Sequence, residues 1–201
     1  MRTIRATVLF LLLLLGAVFV AYRIKDPERR VLDEQARKEA PGRFVRLADG
    51  MTHYEIAGPD SGQVILMASA FSVPGFIWDP LYQRLADSGF RVIRFDYYGR
   101  GWSDRLDTRY DQALFVRQMA GLLDSLGITR PITVAGVSYG AAMVTSFTDR
   151  YPDRVAALIY IDPVFNNRRP LPPQERSALA WDYHMVWKGG AKAMANSQVR
   201  K

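Results

Sequence analysis

Ile132–Tyr151, ITVAGVSYGAAMVTSFTDRY, joins two secondary-structure signals through a five-residue turn. Ile132 to Ala135 reads as a short strand, and Tyr139 to Tyr151 as a helix stopped by Pro152. Between them, Gly136-Val137-Ser138-Tyr139-Gly140 is a G-x-S-x-G pattern in the strand–turn–helix context that gives it meaning. So tight a turn forces Ser138 into a strained backbone conformation that lifts its hydroxyl above the sheet. Side chains at 136 and 140 would collide with the neighbouring strand and helix, which calls for glycine at both. The helix beginning at Tyr139 aims its positive end and unpaired N–H groups at the same point. Ser138 is therefore the candidate nucleophile.

Working outward, the same alternation recurs. Arg43–Leu47 and Met51–Ala57 flank Ala48-Asp49-Gly50 as a β-hairpin, with His53 expected as an exposed strand residue. Gln63–Ala68 reads as a buried strand after the Gly58–Gly62 turn cluster. Asp79 and Pro80 then open a helix, as N-cap and first helical residue, that ends near Gly89. Arg91–Phe95 is a strand. Asp111 opens a helix with Phe115, Met119, Leu122, Leu123 and Leu126 on one face, closed by Gly127. Val155–Ile161 is a further strand. A hairpin followed by strand–helix–strand units predicts an α/β fold with a mostly parallel sheet and flanking helices.

Composition narrows the chemistry. The chain has 201 residues, 49% hydrophobic and 23% charged, without cysteine and with two histidines, His53 and His184. That removes disulfides, a thiolate nucleophile and Cys- or His-rich metal centres. The net charge of +7 is unevenly spread: +5 over residues 1–46, −3 over 47–162 and +5 over 163–201. A nucleic-acid binder carries a basic stripe on its folded domain, interleaved with aromatics. Here the body is mildly acidic, and no nucleic-acid partner is expected.

The basic N-terminal portion contains an apolar run. Residues 6–22 are apolar except Thr7, with Arg2 and Arg5 before them and Arg23 and Lys25 after. Such a helix spans about 25 Å, slightly less than a ~30 Å hydrocarbon core, a gap that snorkelling arginines absorb. Cleavage by signal peptidase wants small residues one and three positions before the cut. Ala21 has Phe19 at that spacing and Ala17 has Leu15, so residues 1–25 read first as a retained single-pass anchor, with a cleaved signal peptide and secretion as the alternative. Residues 26–42 read as a charged, solvated helical stalk ending at Pro41-Gly42.

The motif and three further segments give a family resemblance. The chain resembles serine α/β-hydrolases of the esterase, lipase and perhydrolase type over roughly Arg43–Pro163. Phe95–Asp104 (FDYYGRGWSD) is similar to the family's D-x-x-G-x-G-x-S loop, and Leu158–Pro163 (LIYIDP) to its sixth strand and following loop. Met67–Pro74 (MASAFSVP) occupies the place of its His-Gly oxyanion loop, with Ser69-Ala70 standing for His-Gly. The resemblance implies an oxyanion hole formed by the Phe71 and Tyr139 N–H groups, and no metal or organic cofactor. In the dehalogenases and epoxide hydrolases of this fold an aspartate replaces the serine, and Ser138 argues against both.

The triad order Ser–acid–His excludes His53, which precedes Ser138, and leaves Asp162 and His184 as formal acid and base. In most members, though, the acid follows a seventh strand and the histidine an eighth. Residues 164–201 are Pro-broken and then helical in pattern, like the start of a cap, so His184 reads more simply as a cap residue. The sequence therefore predicts an α/β-hydrolase core over 43–163 whose remaining strands lie beyond this chain. Its expected activity is cleavage of carboxylic esters, lipophilic ones by analogy. The competing expectation is a non-catalytic, membrane-tethered relative.

Overall fold

The computed structural model describes residues 2–25 and 32–163. They fall into two units that divide after Val31. The first is helix α1 (Arg2–Lys25), in which Arg5–Ile24 is long and apolar enough to cross a membrane. Those 20 residues rise about 30 Å. An apolar N-terminal helix serves equally as anchor or signal sequence.

The second unit opens with a single helical turn, α2 (Glu34–Arg37), capped by the Asp33 carboxylate, which accepts from the Ala36 N–H at 2.8 Å. The sequence predicts a solvated stalk helix from residue 26; residues 26–31 lie outside the described residues, and the helical part that is described is this turn. It is not fully solvated, because the Arg37 guanidinium pairs with Asp104 on the body. Gly42, with φ +78°, turns the chain into the sheet.

The sheet comprises β1 (Arg43–Arg46), β2 (Met51–Ala57), β3 (Val64–Ala68), β4 (Arg91–Phe95), β5 (Ile132–Val137) and β6 (Val155–Ile161), in the spatial order β1-β2-β4-β3-β5-β6. The hairpin β1–β2 and the β2–β4 pair are antiparallel; β4, β3, β5 and β6 run parallel. Helices α3 (Asp79–Asp87), α4 (Gln112–Ser125) and α5 (Tyr139–Arg150) make the crossovers.

Residue alternation along the central strands assigns the two faces. Val64, Leu66 and Ala68 of β3 pack with Phe115, Met119, Leu122 and Phe147 of α4 and α5. Ile65 and Met67 face the other way, against Trp78 and Ala86 of the α3 region. With both faces covered, β3 is buried along its whole length, as its continuous apolar run requires. The connection out of β3 leads to one side of the sheet and that out of β5 to the other. The carboxyl ends of these adjacent strands are thus a topological switch point, the place where open α/β sheets bind ligands.

Two local expectations need correction. Asp79 does not cap α3: Trp78 occupies the N-cap position without a side-chain bond, and the Asp79 carboxylate pairs with Arg94. Arg94 is also held by Glu55 at 2.9 and 3.1 Å and stacks 4.2 Å above the Tyr82 ring, so this ionic cluster outcompetes the cap. His53 is not exposed. It retains 4% of its surface, because the loop after β4 folds over the hairpin and buries that face of β2.

Candidate active site

Ser138 leaves β5 at φ +53° and ψ −116°, a conformation of the first central residue of a II′ turn that L-residues enter only under strain. Two close approaches hold it there. A Cβ on Gly136 would lie 2.5 Å from the Gly140 carbonyl, and one on Gly140 would lie 2.2 Å from the Ala68 carbonyl oxygen. The first permits the helix to start immediately over the strand; the second lets α5 press against the end of β3. The Ser138 N–H donates to the Ile161 carbonyl at 3.0 Å, tying the turn to β6.

Strand register brings the other candidates to the same end of the sheet. Ala68 pairs with Gly136, so Ser69, Ala70 and Phe71 emerge on one side of Ser138. Val137 pairs with Ile161, so Asp162 emerges on the other, exposed and at φ +44°. Among the described residues, neither the Ser138 hydroxyl nor the Asp162 carboxylate has a hydrogen-bond partner. The Phe71 and Tyr139 rings meet edge to face at 5.0 Å, which sets the two candidate oxyanion residues side by side. His184 lies outside the described residues.

The loop after β4 is organised by Asp96, 3% exposed. Its Oδ1 accepts from the Gly75 N–H at 2.7 Å and its Oδ2 from the Trp102 N–H at 2.9 Å. A Cβ on Gly101 would sit 2.1 Å from Oδ2, so glycine there admits the carboxylate. The Ser103 hydroxyl donates to the Asp96 carbonyl at 2.6 Å and accepts from the His53 N–H at 2.9 Å. This accounts physically for the Asp, second Gly and Ser of the D-x-x-G-x-G-x-S pattern.

His53 Nδ1 lies 2.9 Å from Asp96 Oδ2, and its Nε2 faces the Pro41 carbonyl. Both partners accept, which favours the doubly protonated ring. Burial opposes that charge, but the bond to Asp96, its charge, the Pro41 carbonyl and the nearby Glu55 outweigh it and raise the His53 pKa above its usual 6.5. A ring so engaged does not serve as a base for Ser138, consistent with its exclusion by chain order. Sequence reasoning misses this pair, since the Asp-loop motif marks Asp96 without naming its partner across the hairpin.

The sequence model of the alpha/beta hydrolase fold matches residues 68–192. The chain belongs to the alpha/beta hydrolase family. This alpha/beta-hydrolase is 34% identical over 118 residues to a protein of Mycobacterium phage D29 assigned as a non-heme haloperoxidase, covering 59% of this chain and 42% of that one. It is 30% identical over 107 residues to a haloalkane dehalogenase of Agrobacterium fabrum, covering 53% and 34%. Among solved structures it resembles a thermophilic esterase from Thermogutta terrifontis, with a TM-score of 0.63 at 26% identity over 75% of this chain and 55% of that one. The alpha/beta-hydrolase thus spans about half, or less, of the length of these relatives.

Proposed function

We propose that this protein is a serine hydrolase that cleaves carboxylic esters through an acyl-enzyme at Ser138, and that residues 6–22 hold it at a membrane. The observation that supports this best is the strained Ser138 turn at the carboxyl end of β5, between the Phe71 loop and the N-terminus of α5. In this reading residues 1–25 are the anchor, 26–42 the stalk, 43–163 the hydrolase core and 164–201 the start of a cap.

Ser138 Oγ attacks the ester carbonyl while a histidine takes its proton. The tetrahedral oxyanion accepts hydrogen bonds from the Phe71 and Tyr139 N–H groups. Collapse expels the alcohol, which regains the proton, and water then releases the acid from Ser138. We place the histidine and its carboxylate partner in the part of the relatives that this chain does not match; Asp162 and His184 are the alternative within it. An anchored enzyme favours lipophilic esters such as monoacylglycerols.

Hydrolysis of p-nitrophenyl esters of increasing acyl length by the natural protein in detergent tests the reading. Ser138→Ala should lower the rate by roughly 10³-fold or more, leaving only binding and oxyanion contributions. Wild-type protein no faster than Ser138→Ala would instead favour a non-catalytic tethered protein. Ser69-Ala70 in place of His-Gly is the feature on which that second reading stands.

A further inference from the structure

Arg100 sits between the two glycines of the Asp96 loop, with 5% of its surface exposed. Its Nε donates to the Phe71 carbonyl, and its guanidinium carbon lies 4.7 Å above the Phe71 ring and 5.4 Å from the Phe115 ring. The base of the fork is itself fixed: Nη1 donates to the Tyr98 carbonyl at 3.2 Å, and the Arg100 N–H donates to Tyr97 at 3.0 Å. The loop bearing it is pinned by the Asp96 carboxylate through Trp102. One planar cation thus grips both the backbone and the side chain of Phe71, whose ring in turn abuts Tyr139.

We propose that Arg100 is a positioning residue for the oxyanion hole, clamping the Phe71 loop so that its N–H points at the carbonyl oxygen that becomes the oxyanion when Ser138 attacks. The inference rests on the reading of Phe71 as an oxyanion donor. Fixing the Phe71 carbonyl and ring leaves the residue little torsional freedom, and a donor must be held before the charge develops to be of use in the transition state. Lysine cannot replace this grip. It offers a point charge without the planar fork that donates to two carbonyls while lying on a ring.

The test compares wild type, Arg100→Lys and Arg100→Met in the natural protein, by ester hydrolysis and by amide hydrogen exchange. Because the oxyanion forms only in the transition state, kcat should fall about tenfold in Arg100→Lys and about a hundredfold in Arg100→Met, with KM within twofold. Exchange at the amides of Phe71, Ser72, Val73 and Gly75 should quicken in both variants, while the amides of β3, β5 and α4 keep their wild-type protection. Unchanged kcat, or quickened exchange throughout the core, overturns the proposal, since the latter marks a merely structural arginine. If wild type hydrolyses no ester, the hydrolase reading fails on that result alone. Exchange then judges the clamp: quickening confined to 71–75 supports it, and wild-type exchange there refutes it.

Discussion

His53 and Ser138 show how single residues are held in states their isolated chemistry disfavours. Ser138 keeps a conformation costing about 1–3 kcal/mol because Gly136 and Gly140 let strand and helix close around it. The pKa of His53 is raised despite burial because both ring nitrogens face acceptors. The second case predicts a pH dependence. The folded-state pKa is raised, so the stabilisation is complete below the unfolded value of about 6.5 and is lost as pH rises through the folded value. Urea unfolding of the body between pH 6 and 9 should therefore show stability declining with pH in wild type and a flatter profile in His53→Leu. That variant should also be less stable by about 3 kcal/mol at pH 6, because it strips the buried Asp96 carboxylate of its cationic partner. Parallel profiles would show that His53 is neutral in the folded protein.

At the scale of elements, the strands and helices announce themselves wherever one local signal suffices. The run Val64–Ala68 is bounded by turn residues, Asp111 caps α4 through the Leu114 N–H at 2.9 Å, and the elbow glycines lie within five residues of each other. What escapes a reading along the chain depends on partners far away in sequence. Asp79 carries a good capping signal yet turns to Arg94, and the alternation in β2 gives His53 a face without revealing that the Asp96 loop covers it. The Arg100 clamp on Phe71 is hidden for the same reason. The elbow serine and its flanking loops are thus legible, whereas the contacts that brace them are not.

Strand β6 poses the converse question. It is the edge of the sheet among the described residues, and Leu158, Ile159 and Tyr160 are exposed along it. An apolar edge of this kind invites pairing with another chain. In the 201-residue chain freed of residues 1–25, Ile159→Lys should reduce aggregation, scored by light scattering, with little change in Tm. A lowered Tm with undiminished scattering would mean that the edge is already covered.

For the molecule as a whole, charge and hydropathy divide the labour. The hydrolase core is mildly acidic, whereas α1 is an apolar helix of membrane-spanning length with basic residues flanking its apolar run. A retained anchor predicts that the natural protein stays with membranes through high-salt and carbonate washing, and that deletion of residues 1–25 releases it. Recovery of the undeleted body in the soluble fraction, lacking its N-terminus, would identify α1 as a cleaved signal. The central claim, that Ser138 is an activated nucleophile, is tested most directly by treating the natural protein with a fluorophosphonate and mapping the adduct by peptide mass spectrometry. A serine hydroxyl reacts only when a base accepts its proton, so labelling reports the assembled site. The account predicts a rapid adduct on Ser138 that disappears in Ser138→Ala; a folded protein that leaves Ser138 unlabelled would contradict it.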